Sequence, residues 1–144
     1  MRKLFIVLGL LLSACSGSNL NANLEPPRAT NIVCHAAYRS GVDQPIEREE
    51  ALTFEDSDSS QSIEFPEMLF HAEYNTGEFD NERTLRVWVT DIAGTKVYQS
   101  HLYQLDPNSG PVNQFRGGHG FTGLNYGYYA ESPAEIQFWC ETTN

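Results

Sequence analysis

Residues 84–90 read TLRVWVT, and the pattern in this short stretch is the basis of the fold that we predict. Its apolar side chains Leu85, Val87 and Val89 alternate with polar or aromatic ones. A period of two residues indicates a β-strand that turns one face toward a hydrophobic core. The turn-like sequence DIAG follows at residues 91–94, so the stretch is predicted to be the first strand of an antiparallel hairpin.

The second strand of this hairpin is predicted within residues 95–105, TKVYQSHLYQL. A loop at 93–94 sets a register that pairs Val89 with Tyr98, and a slip of one residue would exchange the two faces. In this register the face away from the core carries a candidate binding set: Arg86, Trp88, His101 and Tyr103. Exposed aromatic rings beside hydrogen-bonding groups suit glycans and proteins alike. The alternative is that a loop or a second layer covers Trp88.

Similar alternation recurs along the rest of the chain. It is found in five further segments: 32–38, 61–65, 68–74, 124–130 and 136–140. The exception is Ile46–Leu52, IEREEAL, where the composition favours a short helix. About seven or eight short strands on roughly 110 residues predict an all-β fold, an antiparallel β-sandwich that is immunoglobulin-like in general architecture.

The beginning of the chain carries an export signal. Arg2 and Lys3 precede an apolar run at 4–12, LFIVLGLLL, which is shorter than the roughly 20 residues that a membrane-spanning helix needs. Leu12-Ser13-Ala14-Cys15 follows, and it resembles the lipobox of bacterial lipoproteins. The alternative is an ordinary signal peptide that is cut near Ala14 and leaves Cys15 free or disulfide-bonded.

The resemblance implies that Cys15 becomes the first residue of the mature chain and carries the acyl chains. Ser16, in the place where aspartate would retain a lipoprotein, implies the outer membrane if the cell has one. The predicted organisation is a lipoprotein signal peptide at 1–14, an acylated N-terminus and flexible tether at 15–30, and one β-sandwich domain at 31–144. The tether contains Pro26-Pro27 and spans on the order of 20 Å.

Cysteine usage agrees with an exported protein. The chain has three cysteines, so acylation of Cys15 would leave Cys34 and Cys140 as a pair in an oxidising compartment. Both fall on the core-side phase of their predicted strands, as a bridge between strands would require. We therefore predict a Cys34–Cys140 disulfide that closes the domain. Two free buried thiols or a metal pair are the alternatives, although neither cysteine belongs to a CxxC motif.

The charge of the chain excludes one class of partner. The formal net charge is −10, and removal of residues 1–14, which hold two basic and no acidic residues, lowers it to −12. Nucleic-acid binding needs a basic surface, so we predict no nucleic-acid partner. An anionic membrane surface would also repel the domain, and attachment would therefore depend on the lipid.

One segment has the ligand spacing of a calcium loop. Counted from Asp56, oxygen-bearing side chains occupy EF-hand positions at Asp56, Asp58, Ser60, Glu64 and Glu67. Gln61 stands where the sharp turn of that loop needs glycine, and Pro66 also interrupts it. We therefore favour a solvated acidic loop and expect no cofactor, with Ca²⁺ as the alternative.

No familiar catalytic motif is present, and the four histidines show no metal-binding spacing. Residues 116–129 read RGGHGFTGLNYGYY, with His119 among glycines. A phosphate-binding loop would sit between a strand and a helix, whereas a strand-like tyrosine alternation follows here. We predict that these glycines let the backbone turn, or approach a neighbour closely, where a long loop re-enters the sheet.

These observations favour a non-catalytic binding or interaction module, lipid-anchored at the bacterial cell envelope, that recognises a protein or a glycan. Two alternatives belong to other classes. One is a small envelope hydrolase that uses His119 and a nearby carboxylate. The other is a calcium-stabilised structural domain.

Overall fold

The computed structural model describes the following residues: 31–55, 57–77, 82–105 and 111–143. The predicted signal peptide, Cys15 and the tether lie outside the described residues, as does Asp56. In the part of the chain that is described, no helix is both long and apolar enough to cross a membrane.

The described residues form two antiparallel sheets of four strands each. Sheet A has the order β2-β1-β8-β7, and sheet B has the order β3-β4-β5-β6. The strands are β1 (Asn31–Arg39), β2 (Arg48–Phe54), β3 (Ser59–Glu64), β4 (Met68–Asn75), β5 (Thr84–Asp91), β6 (Val97–Gln104), β7 (Asn125–Tyr128) and β8 (Glu135–Thr143). The predicted all-β sandwich is confirmed.

Strands that follow one another in the sequence are also neighbours in space. The chain crosses between the sheets only from β2 to β3 and from β6 to β7, and β8 returns to pair with β1. Immunoglobulin domains instead use Greek-key connections. The likeness to them is therefore confined to the packing of two antiparallel sheets.

The hydrophobic core lies between the two sheets. Sheet A contributes inward side chains such as Ile32 and Phe138, and sheet B contributes Phe70, Val87 and Val89, all fully buried. The rings of Phe70 and Phe138 meet across the interface with their centroids 5.3 Å apart. The alternation that the sequence shows along β1, β4, β5 and β8 matches these inward positions.

A disulfide joins Cys34 to Cys140, as predicted. The two cysteines are direct cross-strand partners in β1 and β8, at a sequence separation of 106. Both are fully buried in the core. The bridge lies within sheet A and ties the first strand of the domain to the last.

The helix predicted at Ile46–Leu52 is wrong. Residues 48–54 form strand β2, which pairs along its whole length with β1. Leu52 and Phe54 point into the core while their neighbours are exposed, so burial on a sheet outweighs the helical propensity of the glutamate-rich sequence.

The predicted register of the β5–β6 hairpin holds only beside its loop. Thr90 pairs with Val97, which agrees with that register. A β-bulge between Val89 and Thr90 then shifts the pairing by one residue, so that Val89 faces Gln99 rather than Tyr98. Because side chains alternate along a strand, this shift exchanges the faces of β6 beyond the bulge.

Candidate functional site

The shift in register divides the predicted binding face. Arg86 and Trp88 remain on the outer face of sheet B, but His101 and Tyr103 now point inward. The His101 ring lies 6.1 Å from that of Phe138. The prediction that these four side chains share one face is therefore wrong.

Trp88 is half-buried, because its neighbours on sheet B cover it. His71 lies directly across from it on β4 and stacks on its ring, with centroids 4.9 Å apart. The Arg86 guanidinium lies 4.7 Å from the centre of the same ring. Burial lowers the pKa of His71, whose Nε2 is 2.9 Å from Thr90 Oγ1. Because His71 and Arg86 pack on the Trp88 ring, less of its surface is available to a ligand.

The most exposed aromatic pair of the outer faces lies on sheet A, on edge strand β7. Tyr126 and Tyr128 are 40% and 54% exposed. Their rings are parallel within 6°, and the centroids are 6.2 Å apart. Gly127 lies between them, at a position of the strand that faces the core. A Cβ added there would lie 2.8 Å from a methyl group of Val89 in the opposite sheet. This close approach fixes the backbone that presents both tyrosines.

A charged and polar network borders the two tyrosines. Gln137 is the cross-strand partner of Tyr126, and Glu135 is that of Tyr128. Glu135 is only 1% exposed, and its carboxylate accepts hydrogen bonds from Arg39 Nε at 3.0 Å and Gln137 Nε2 at 2.7 Å. Arg39 Nη2 also lies 2.8 Å from this carboxylate. We refer to Arg39, Tyr126, Tyr128, Glu135 and Gln137 as the tyrosine patch.

The network also influences the hydroxyl group of Tyr128. Partial burial, followed by the nearby Glu135 carboxylate, raises the pKa of this phenol. The tyrosine patch thus combines exposed aromatic rings with hydrogen-bonding groups whose positions are fixed.

A second aromatic cluster lies further along the same face of sheet A. The rings of His35 and Trp139 stack with centroids 4.8 Å apart, and His119 meets Trp139 edge-on at 5.5 Å. His35 Nε2 is 3.1 Å from a carboxylate oxygen of Glu141, and His35 Nδ1 is 3.8 Å from one of Glu49.

His119 itself has no carboxylate within hydrogen-bond distance among the described residues. Its contacts are the ring of Trp139 and a backbone bond from Gly123 N to its carbonyl oxygen, at 3.0 Å. The described residues therefore place no carboxylate where it could orient this imidazole, as the hydrolase alternative requires.

The glycines around His119 serve the backbone, as predicted. Gly120 has φ +59°, and a Cβ at this position would lie 2.0 Å from the carbonyl oxygen of Cys140. That oxygen accepts a hydrogen bond from Phe121 N at 3.0 Å, and Cys140 N donates to Thr122 Oγ1 at 2.8 Å. The loop that precedes β7 therefore lies against β8 and extends the edge of sheet A that β7 forms.

The predicted calcium ligands that lie within the described residues, all but Asp56, do not converge. Ser60 and Glu64 belong to the extended strand β3, which separates Asp58 from Glu67. Asp58 accepts hydrogen bonds from Thr76 N and Oγ1, both at 2.6 Å, and these bonds lower its pKa. The Glu67 carboxylate accepts a hydrogen bond from Tyr38 OH at 2.7 Å, near the other end of β3. Within the described ranges, no group of His, Cys, Asp or Glu side chains is arranged to hold a metal ion.

The sequence analysis did not identify the tyrosine patch as a site, although the sequence contains two features that indicate parts of it. Two tyrosines around Gly127 indicate rings on one face and a close backbone approach on the other. The core phase of Ile136, Phe138 and Cys140 likewise turns Glu135 and Gln137 outward. The pairing of β7 with β8, which brings the two sets together, could not be read from either segment alone.

Comparisons with known proteins give the chain no relative. No protein-family model, no curated protein and no solved structure matches it.

Proposed function

We propose that the chain is a lipid-anchored binding module of the bacterial cell envelope, which recognises a protein or a glycan with the outer face of sheet A. The observation that carries this proposal is the tyrosine patch. Tyr126 and Tyr128 expose aromatic rings on a strand whose backbone is fixed by the approach of Gly127 to Val89. Binding needs no rearrangement of this strand, which limits the entropy that association would cost.

The physical chemistry of the patch favours recognition over a purely structural role. Tyrosine is enriched at binding surfaces because its ring offers a large contact area with only two side-chain torsions to immobilise. Here the rings stand beside a guanidinium, a carboxylate and an amide, which supply directional hydrogen bonds. Apolar area at the centre and polar groups at the border are the usual arrangement of an interface.

The envelope location rests on the lipobox resemblance at Leu12–Cys15, which precedes the domain by a tether of about 15 residues. One acyl chain alone binds membranes only marginally, whereas several hold a protein firmly. A domain held in this way would meet envelope glycans or proteins at high effective concentration.

Photo-crosslinking in intact cells tests this proposal. Replacement of Tyr126 by p-benzoylphenylalanine in the full-length chain should give a discrete adduct on illumination, because a bound partner lies against this position. The same substitution at Leu102, which is 68% exposed on sheet B, is the matched control and should give none. Equal labelling at both positions, or no adduct at Tyr126, would contradict the choice of face.

A further inference from the structure

We propose that the tyrosine patch binds a neutral oligosaccharide, with two pyranose rings of one chain lying against Tyr126 and Tyr128. This inference rests on the proposed function, since it concerns the same face of sheet A. It goes further by excluding charged ligands and naming the chemical class.

The exposed surface of the two tyrosines can accept a sugar chain. Their rings are stacked, parallel within 6° and with centroids 6.2 Å apart, and each ring keeps a large part of its surface open to solvent. The C–H faces of sugars pack on aromatic rings through dispersion and the hydrophobic effect. Because the rings repeat along an extended strand, successive sugars can each contact one of them.

The polar members of the patch suit hydroxyl groups. Gln137 donates its Nε2–H to Glu135, and among the described residues its Oε1 has no hydrogen-bond partner. Arg39 holds the Glu135 carboxylate from the other side, which fixes the orientation of all three planar groups. Preorganised acceptors and donors of this kind give orientation and specificity to a ligand that is held by stacking.

Charge selects a neutral ligand over an anionic one. The single cation of the patch, Arg39, is paired with Glu135, so it offers little attraction to an acidic sugar. Glu49 and Glu141 carry negative charge further along the face, and the whole chain has a formal net charge of −10. Anionic glycans would be repelled.

Charge also disfavours a basic peptide at this position. The carboxylate of the patch, Glu135, is 1% exposed and already compensated by Arg39, so it is not available to a lysine or arginine of a partner. Competition for it would expose a buried charge without its counter-ion, which is costly. Stacking on the tyrosines therefore dominates recognition.

Titration calorimetry of the full-length chain in detergent tests the inference. The probes are cellohexaose and chitohexaose, with hexagalacturonate as an anionic comparison. We expect saturable binding of at least one neutral hexasaccharide and none of the anionic one. Tyr126→Ala and Tyr128→Ala should each raise Kd by about tenfold, as loss of a stacking contact typically does.

Matched variants separate stacking from folding. Tyr126→Phe and Tyr128→Phe keep the rings, so Kd should stay within about threefold of the native value. Leu102→Ala, on the opposite sheet, should leave Kd unchanged. Unchanged binding in both alanine variants would overturn the inference.

The result can be distinguished from failure of the proposed function. If no neutral hexasaccharide binds while p-benzoylphenylalanine at Tyr126 still gives a protein adduct in cells, the glycan inference is overturned and the binding face stands. If neither experiment gives a signal, both are overturned.

Discussion

Among single residues, Gly120 is the described glycine that leaves the least room for a side chain. Its backbone has φ +59° and lies against Cys140 and Glu141, where a Cβ would lie 2.0 Å from the carbonyl oxygen of Cys140. A side chain must therefore displace the loop from β8 and break the bonds between them. We expect Gly120→Ala to lower the free energy of unfolding by roughly 3 kcal/mol or more, measured by urea denaturation.

Gly118→Ala is the matched control for this prediction. Gly118 also has a positive φ, +80°, but an added Cβ would meet nothing within 4 Å. This variant should cost only about 1 kcal/mol, the penalty of the left-handed backbone region. Equal losses in the two variants would show that contact with β8 contributes nothing.

His71 gives the stability of the domain a dependence on pH. Burial lowers its pKa, so the folded protein takes up this proton at a lower pH than the unfolded chain does. The free energy of unfolding should therefore fall as pH decreases through the unfolded value of about 6.5 and level off below the folded pKa. In His71→Gln this contribution is absent.

The measurement compares urea denaturation of the native chain and His71→Gln across the same pH series. The difference between their free energies of unfolding should be constant above about pH 8 and should shift in favour of the variant toward about pH 5. Curves that stay parallel throughout this range would refute the assignment.

At the scale of elements, strands were predictable wherever one face is buried and the other exposed. The alternation in β1, β5 and β8 gives their inward phases, and the disulfide follows because Cys34 and Cys140 share that phase. In β2 the glutamate-rich composition hides the alternation of buried and exposed residues. This segment becomes a strand because it pairs with β1, and local sequence does not show that pairing.

The register of β6 was beyond the reach of local reasoning. The hairpin pairs as predicted at Thr90 and Val97, and the bulge then leaves Tyr98 as an extra residue. The ring of Tyr98 meets that of Tyr129, from the loop after β7, with centroids 5.7 Å apart. The contact of Tyr98 with Tyr129 thus joins the two sheets at the bulge. Beyond the bulge, every side chain of β6 points to the face opposite to the predicted one. The shift also explains why the four side chains predicted to form a binding face do not share one side of sheet B.

The disulfide between β1 and β8 should contribute strongly to the stability of the domain. It closes a loop across 106 residues of sequence, for which the chain-entropy model gives about 4–5 kcal/mol. The double variant Cys34→Ala, Cys140→Ala should lose about this amount in urea denaturation. Dithiothreitol should destabilise the native chain similarly and leave the variant unchanged. An effect of the reductant on the variant would contradict this account.

At the scale of the whole molecule, the order of the strands brings the two ends of the domain together. β1 and β8 are paired in the middle of sheet A, and the tyrosine patch lies on their outer side with β7. Asn31, the first described residue, thus begins a strand of the sheet that carries the proposed site. Anionic lipid headgroups repel a chain of this charge, so the proposed membrane attachment would depend on a lipid at Cys15.

Anchoring through Cys15 is therefore the prediction that concerns the molecule as a whole. Cys15→Ala removes the residue that the lipobox resemblance identifies as the acylation site, so the chain should move from the membrane pellet to the aqueous fraction. The native chain should stay in the pellet after a wash in about 1 M salt, since salt at that level screens charges but not hydrophobic insertion. The double variant Cys34→Ala, Cys140→Ala keeps Cys15 and should remain in the pellet. Retention of Cys15→Ala in the washed pellet would show that something other than acylation holds the protein there.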